Sequence, residues 1–291
     1  MSVQVASRVL IAGHGYLGQA LAALLSSQNH AVTTISLSGA GSDYACDLSD
    51  FSALESLVML WENQSTSPDY IVLCTSSPRG SGLEGYEQSY LNSAQNIIQL
   101  LPQAKLIFTS STSVYAQQHG EIVLEESEAL GAAQTGAILR KTEDLVLNHG
   151  GLVLRLAGIY GPGRSFLLKK FIKGEASIEE KGSKYINHVH RDDAASAIDF
   201  FIKQELEHRI WFGGQIYNVC DSNPLTQQEC YTKLAQIFQL PYPASKSRNT
   251  QTKRGWSDKQ VSNAKLCALG WEPKHPYFPD SAQEVANTLD L

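Results

Sequence analysis

Three glycines near the start of the chain have the spacing of a phosphate-binding loop. Residues 9–12 form an apolar run typical of a buried strand, and Gly13, Gly15 and Gly18 follow it. At this spacing the first glycine makes a tight turn, the second leaves room for a pyrophosphate, and the third lets the next helix pack closely. An apolar stripe with helical spacing begins at Leu17. Because a helix N-terminus attracts anions, we favour a dinucleotide-binding loop over a simple tight turn.

The composition excludes several classes of protein. Of the 291 residues, 43% are hydrophobic and 18% are charged, which suits one large folded domain or a domain with a smaller lobe. The net charge is −6 and no run of Lys or Arg occurs, so nucleic acid is not an expected partner. No apolar stretch approaches the ~20 residues of a membrane span. With no leader-like segment before the first apolar run, we expect a cytoplasmic protein.

The five cysteines do not indicate a metal site. No two of them stand in a Cys-x-x-Cys spacing, and their number is odd. This pattern favours reduced, buried thiols over zinc ligands or a disulfide framework.

Strand-like apolar runs alternate with helix-periodic segments through the first two-thirds of the chain. The predicted strands are Arg8–Ala12, Ala31–Leu37, Tyr70–Thr75, Lys105–Ser110 and Gly151–Leu156. The predicted helices are Tyr16–Gln28, Phe51–Asn63, Tyr86–Leu101 and Ala133–Asn148. Such alternation predicts an α/β fold with a Rossmann-type, doubly wound parallel sheet. Ligands of these sheets bind beyond the carboxyl ends of the strands.

The last third of the chain has shorter and more mixed segments. Three elements are predicted there: a helix at Asp193–Gln204, a strand at Gln215–Val219 that returns to the sheet, and a helix at Thr226–Leu240. We therefore expect an NAD(P)-binding domain of residues 1–160, to which residues 191–219 return. Residues 161–190 and 220–291 would form a small C-terminal lobe that binds the substrate.

A series of further motifs follows the glycine pattern along nearly the whole chain. They are Cys46–Leu48, the helix that carries Asn92, Thr109–Tyr115, Arg155–Arg164, His188–Asp193 and Tyr217–Asp221. Their order resembles that of the extended short-chain dehydrogenase/reductases, in their NAD-dependent epimerase/dehydratase branch. The resemblance implies an oxidoreductase or epimerase that binds NAD or NADP and acts on a nucleotide-sugar-like or other small hydroxylated substrate. It also implies a possible homodimer.

The resemblance also implies which residues bind the cofactor. Together with Ser36, discussed below, they are Gly13, Gly15, Tyr16, Leu17, Gly18, Asp47, Leu48, Thr75, Ser76 and Lys141. Asp47 would accept a hydrogen bond from the adenine amino group, and Leu48 would pack on the ring. From the residues alone, Asp47 is equally well explained as a cap of the helix near Phe51.

The end of the second predicted strand bears on the choice between NAD and NADP. It reads Ile35-Ser-Leu-Ser38, no acidic residue precedes Asp43, and no Lys or Arg is near. A carboxylate at this point would bind the ribose 2′-hydroxyl and repel a 2′-phosphate. Ser36 and Ser38 could donate to either group. Both cofactors stay open, and the missing carboxylate favours NADP.

Ser111 and Lys141 are the candidate catalytic residues. Ser111 stands four residues before Tyr115, where the resembling family has its catalytic Ser or Thr, and its hydroxyl could donate to a substrate oxygen. That family's reaction uses a Tyr-x-x-x-Lys pair, and here Lys141 is in register while Ala137 replaces the tyrosine. An exposed helix lysine would look the same. Because alanine cannot exchange a proton, a second hypothesis is a non-catalytic NAD(P)-binding sensor or regulatory module.

Four residues are substrate-binding candidates by their positions in the motifs. Tyr115 and Tyr160 would form the wall of the pocket, and His190 would order the segment before Asp193. Arg164 could pair with an anionic substrate or a phosphate, or form a salt bridge within the protein.

Overall fold

A computed structural model of the chain describes residues 7–78, 80–131, 133–179, 181–247 and 257–291. The first half contains β1 (Arg8–Ala12), α1 (Tyr16–Ser27), β2 (Ala31–Ser36), β3 (Tyr44–Ala45), α2 (Phe51–Gln64), β4 (Tyr70–Leu73), α3 (Gly82–Tyr86), a π-helical segment (Glu87–Asn92), α4 (Ser93–Leu100), β5 (Lys105–Ser111), a 3-10 turn (Thr112–Val114), β6 (Glu121–Val123), α5 (Gln134–Asn148) and β7 (Leu152–Leu156). The second half contains β8 (Gly158–Tyr160), α6 (Phe166–Ile172), β9 (Ser177–Glu179), β10 (Tyr185–Ile186), β11 (His188–His190), α7 (Arg191–His208), β12 (Ile216–Val219), β13 (Leu225–Thr226), α8 (Gln227–Phe238), β14 (Ala244–Lys246), β15 (Lys259–Val261), α9 (Ala264–Cys267) and α10 (Phe278–Ala286).

The central sheet has seven strands in the order β12-β7-β5-β4-β1-β2-β3. β1 pairs in parallel with β2 and β4, and β4 pairs in parallel with β5. β4 is buried along its whole length, as its continuous apolar sequence predicts for a strand covered on both faces. The prediction of an α/β, Rossmann-type parallel sheet is confirmed. The five strands predicted in the first two-thirds each agree with the structure to within two residues at either end.

The helix predicted at Tyr86–Leu101 begins earlier and contains a π-helical segment. It runs through α3, the π-helical segment and α4 without a break. The Ser93 hydroxyl donates to the carbonyl oxygen of Gln88, five residues earlier, at 2.9 Å. The Thr75 hydroxyl, in the loop after β4, donates to the carbonyl oxygen of Ser89 in the π-helical segment at 2.6 Å. Hydroxyl groups that bond backbone carbonyls in this way account for a local distortion that apolar periodicity does not reveal.

The chain divides into two compact units, and neither is continuous in sequence. The first consists of Met1–Ser111, Gln134–Arg155 and Ala195–Ile216, and the second of Thr112–Ala133, Leu156–Ala194 and Tyr217–Leu291. The second unit has its own apolar core, which includes Phe171 of α6, Leu234 of α8 and Phe278 of α10. Among the described residues, no helix is both long and apolar enough to span a membrane.

A buried ion pair joins α5 to β7 within the first unit. The guanidinium of Arg155 donates to the carboxylate of Glu143 at 2.8 and 3.0 Å, and both side chains are almost fully buried. The Ser110 hydroxyl, near the end of β5, donates to the same carboxylate at 2.6 Å. Arg140, one turn earlier on α5, also pairs with Glu143. These bonds fix which side of α5 faces the sheet.

We expect Arg155→Met to lower the free energy of unfolding by about 3 kcal/mol, because it leaves the buried Glu143 carboxylate short of its main partner. Urea denaturation followed by circular dichroism measures this. The control is Arg8→Met, which breaks an exposed pair with Asp69 and should cost less than about 1 kcal/mol. Equal losses for the two variants would contradict a structural role for the buried pair.

Candidate functional site

The glycine loop connects β1 to α1 in a conformation that two of its glycines make possible. Gly13 has a φ of +121°, and a Cβ there would lie 2.6 Å from the carbonyl carbon of Cys74. A Cβ on Gly18 would lie 2.1 Å from the carbonyl oxygen of Gly13. At Gly15, in contrast, a Cβ would meet no atom within 4 Å. The protein's own packing therefore requires Gly13 and Gly18, while Gly15 borders open space.

The loop is held so that the N-terminus of α1 stays available to an anion. The N–H groups of Gly13 and His14 donate to the carbonyl oxygen of Ile35 at 3.0 and 2.9 Å. No side chain caps α1, and Gly15 is its N-cap residue. The N–H groups of a first helical turn have no partner within the helix, so they can bind a phosphate.

A cavity of about 310 Å³ lies beside this loop in the first unit. Its walls come from the ends of β1, β2 and β4, from the segment before α2 and from the π-helical segment. Seven of the predicted cofactor-binding residues line it: Gly13, Gly15, Ser36, Asp47, Leu48, Thr75 and Ser76. Four others do not belong to its lining: Tyr16, Leu17, Gly18 and Lys141. Gly18 acts on the site through packing, as described above.

Asp47 does not cap α2, which was the alternative explanation for it. The α2 cap is Asp50, whose carboxylate accepts the N–H of Ala53 at 3.1 Å. Asp47 instead accepts the N–H and the hydroxyl of Ser49 at 2.9 and 2.7 Å, and its side chain stays exposed at the cavity. The nearby Leu48 is buried and also lines the cavity.

The cavity wall beyond the end of β2 carries hydroxyl groups and no carboxylate among its described residues. Asp43 is the nearest acid in sequence, and its Oδ2 accepts both the N–H and the hydroxyl of Thr34, each at 2.8 Å. The Ser36 and Ser42 hydroxyls are 2.8 Å apart, and Ser42 donates to the carbonyl of Tyr44 at 3.0 Å. The hydrogen of Ser36 is therefore directed to Ser42.

His14 is a cavity residue that the sequence analysis missed. It is the variable residue between the first two glycines, and its Nδ1 is buried without a hydrogen-bond partner among the described residues. The signal available in the sequence was its place inside the glycine pattern.

The predicted catalytic segment of α5 has an exposed side and a buried side. Ala137 and Lys141 are both exposed, while Leu139 and Glu143 are buried. Lys141 and Glu143 are two residues apart, which is a rotation of about 200° around the helix axis. Lys141 therefore lies on the side of α5 opposite Glu143. Lys141 is not part of the cavity lining, and its role in catalysis and cofactor binding stays a prediction.

Leu139 and Thr135 follow Glu143 on the same side of α5 in steps of four residues, and of these two Leu139 is buried while Thr135 is partly exposed. A Tyr-x-x-x-Lys pair on the side of Glu143 would stand at positions 135 and 139. The chain has threonine and leucine there, so this side supplies neither a phenol nor an amine. Ser111 ends β5 and is partly exposed.

The substrate-binding candidates Tyr115 and Tyr160 are buried within the second unit. The Tyr115 hydroxyl donates to the side-chain carbonyl of Asn218 at 2.8 Å, and its side chain is fully buried. The Tyr160 ring packs edge-to-face against His190 and Phe278, with ring centres 5.2 and 4.7 Å apart. Burial raises the pKa of the Tyr160 hydroxyl. Both rings are almost fully buried, and their contribution to a substrate pocket stays a prediction.

The other two candidates are His190 and Arg164. His190 is buried and stacks on His275 with ring centres 3.7 Å apart, and its Nδ1 accepts the N–H of Asp192 at 3.2 Å. Burial, with a smaller contribution from His275, lowers the pKa of His190 to about 4. This agrees with an ordering role before Asp193 and not with substrate contact. Arg164 is exposed. Among the described residues, no group of His, Cys, Asp or Glu side chains could hold a metal ion.

Comparison with known proteins agrees with the fold and with the glycine loop. Residues 9–220 match the NAD dependent epimerase/dehydratase family. Protein YeeZ of Escherichia coli (strain K12) is 28% identical over 92% of this chain and 96% of its own. A structure from Methylobacillus flagellatus, described as an NAD-dependent epimerase/dehydratase, is 27% identical with a TM-score of 0.76, covering 97% of this chain and 98% of that chain.

More distant structures share the fold. The GDP-mannoheptose C4 reductase of Campylobacter jejuni, with NADP bound, has a TM-score of 0.76 at 19% identity, covering 98% of this chain and 99% of that chain. Other structures with this fold carry NAD. Because the family match covers more than half of its length, the chain belongs to the NAD dependent epimerase/dehydratase family.

Proposed function

We propose that this protein binds NAD(P) in the cavity beside the glycine loop and acts as an oxidoreductase or epimerase. The observation that carries the proposal is the open space at Gly15, between the uncapped N-terminus of α1 and a cavity of about 310 Å³. The N–H groups of the first turn of α1 would bind the pyrophosphate. Leu48 would pack against the adenine, and Asp47 would accept its amino group. A bound nicotinamide dinucleotide supplies a hydride donor or acceptor.

We also propose that NADP is preferred over NAD. The support is the cavity wall after β2, where Ser36, Leu37 and Ser38 stand in place of an acid. A carboxylate in that place would repel the 2′-phosphate of NADP, and Asp43 is occupied with Thr34.

For the reaction, Ser111 is the residue that we propose to contact the substrate. A hydroxyl at the carboxyl end of a central strand can donate to a carbonyl or alkoxide oxygen as charge develops there. The substrate class that we propose is a nucleotide-sugar-like or other small hydroxylated compound. Its binding by residues 161–190 and 220–291, and a homodimer through α4 and α5, stay predictions.

The composition of α5 favours a second candidate function. Since Ala137 stands where the resembling family has its tyrosine, the protein would bind the dinucleotide without turnover and act as a sensor or regulatory module. The two candidates share the cofactor site and differ in whether a hydride leaves it.

Gly15→Ala and Gly18→Ala separate cofactor binding from folding. A methyl group at Gly15 projects into open space, so the free energy of unfolding should change by less than about 1 kcal/mol. The same methyl group would meet the pyrophosphate, and we expect NADPH affinity to fall at least about tenfold. Gly18→Ala should lower stability by about 2 kcal/mol, because its Cβ would overlap the Gly13 carbonyl.

Fluorescence titration with NADPH and thermal unfolding measure the two effects. If Gly15→Ala binds NADPH as tightly as the natural protein, the dinucleotide is not bound at this loop and the proposed function fails.

A second prediction concerns Ser111 and Lys141. We expect Ser111→Ala to lower kcat about a hundredfold, with NADPH affinity unchanged, because the hydroxyl acts on the substrate. Lys141→Ala should lower NADPH affinity about threefold, because it removes the exposed lysine that we propose to hold a ribose hydroxyl of the cofactor.

NADPH oxidation with a panel of sugar nucleotides and small carbonyl compounds measures turnover. Unchanged NADPH affinity in Lys141→Ala would contradict the predicted role of this lysine in cofactor binding. Saturable NADPH binding without turnover of any compound would favour the sensor.

A further inference from the structure

We propose that Lys259 is a positioning residue for the reaction, because it holds in place the turn that directly follows Ser111. This inference rests on the proposed function, since it takes Ser111 as the residue that contacts the substrate. Lys259 begins β15, far from Ser111 in the sequence, and the sequence analysis did not single it out. The turn is the 3-10 turn at Thr112–Val114, and Tyr115 is the next residue.

Tyr115 fixes the end of this turn through three hydrogen bonds. Its side chain is fully buried, and its hydroxyl donates to the side-chain carbonyl of Asn218 at 2.8 Å. Its N–H donates to the carbonyl oxygen of Thr112 at 3.2 Å, which closes the turn. Its own carbonyl oxygen accepts a hydrogen bond from the Lys259 ammonium at 2.9 Å. Because Thr112 is the next residue after Ser111, a shift of this anchor would move the Ser111 hydroxyl, and small displacements of a reacting group are costly to the rate.

The backbone of Lys259 is itself held in place. β15 pairs in parallel with β6, and the side-chain amide of Asn187 binds β15 at two points. The amide nitrogen of Asn187 donates to the carbonyl oxygen of Lys259 at 2.9 Å, and its oxygen accepts the N–H of Val261 at 2.8 Å. Lys259 is only 6% exposed, so its normally flexible side chain is confined. The bond from Lys259 to Tyr115 therefore joins two fixed segments.

The described hydrogen-bond acceptors of the Lys259 ammonium are both neutral. They are the Tyr115 carbonyl and the Ser257 hydroxyl, each at 2.9 Å. A buried ammonium without a carboxylate bonded to it is costly, and an apolar side chain of similar length would avoid that cost. A charge-assisted hydrogen bond to a carbonyl is stronger than a neutral one. The firm anchoring of Tyr115 is what this lysine supplies and an apolar residue would not.

The surroundings of Lys259 make the anchor dependent on pH. Burial lowers the pKa of Lys259 to about 8, Lys184 acts in the same direction, and Asp258 opposes it. Glu121 is the register partner of Lys259 on β6, and its carboxylate accepts the N–H of His119 at 2.8 Å. Because the pKa is lowered, the ammonium loses its proton as the pH rises through about 8. A neutral amine is a weaker donor, so the anchor weakens above that pH.

The test compares the natural full-length protein with Lys259→Met and Lys259→Arg. NADPH oxidation with the panel of sugar nucleotides and small carbonyl compounds gives kcat, and thermal unfolding checks that each variant is folded. We expect Lys259→Met to lower kcat about tenfold, and Lys259→Arg to keep at least about half of it. NADPH affinity should change by less than about twofold in both variants, because Lys259 is outside the lining of the candidate cofactor cavity.

The pH profile separates positioning from a general effect on stability. We expect kcat of the natural protein to fall as the pH rises above about 8, and this fall to be absent in Lys259→Arg, because a guanidinium keeps its charge. The comparison needs only the arginine variant, so it holds even if Lys259→Met does not fold. The control is Lys233→Met, which removes an exposed lysine of α8 and should match the natural protein. Unchanged kcat in Lys259→Met, or the natural pH profile in Lys259→Arg, would overturn the inference.

Hydrogen–deuterium exchange tests the anchor without turnover. We expect the amide hydrogens of residues 112–115 to exchange at least about tenfold faster in Lys259→Met than in the natural protein or in Lys233→Met. If the natural protein turns over no compound, the proposed reaction fails, and exchange alone then decides whether Lys259 anchors the turn. Unchanged exchange in Lys259→Met would overturn the inference in that case as well.

Discussion

The close approach of α1 to the glycine loop is the constraint on which the candidate cofactor site depends. The Gly13 carbonyl lies where a Cβ of Gly18 would be, so the first turn of α1 is pressed against the residue that leaves β1. Ile35 fixes the other side of the loop by accepting two of its N–H groups. A single residue larger than glycine at either contact would move the helix N-terminus, and with it the amide groups that face the cavity. Tight packing and anion binding are thus two results of one arrangement.

A second constraint fixes the other edge of the sheet. Glu143 receives bonds from Arg155 and Ser110, which are on two different strands, and so it sets the rotation of α5 about its axis. The buried ion pair leaves α5 no freedom to turn Lys141 toward the sheet, since that would expose Glu143 and leave Arg155 without its carboxylate. The buried ion pair therefore decides which side chains of α5 are exposed.

The sequence was sufficient for the sheet and the glycine loop, because both depend on local patterns. Continuous apolar runs identify buried strands such as β4, and the spacing of Gly13, Gly15 and Gly18 reports backbone geometry directly. The rotation of α5 could not be predicted in the same way. Glu143 is buried with partners 33 and 12 residues away in the sequence, and the local pattern of α5 does not contain these contacts. The burial of Tyr160 and the π-helical segment likewise depend on contacts that single-chain periodicity does not contain.

These constraints bear differently on cofactor binding and on the reaction with a substrate. Every predicted cofactor residue in the cavity lining lies in the first unit and is positioned by backbone bonds or by glycine packing, which do not depend on the identity of a substrate. Tyr115, Tyr160 and His190 are buried within the second unit, and α5 has Ala137 in place of the tyrosine that assists hydride transfer in the resembling enzymes. A candidate dinucleotide site beside a catalytic segment without its tyrosine is consistent with two uses of the same cofactor. One is transfer of a hydride to a substrate that needs little help from α5, and the other is binding without transfer. The distinction lies in the proton: a hydride acceptor that must also be protonated has to obtain that proton from Ser111, from water or from a group outside α5.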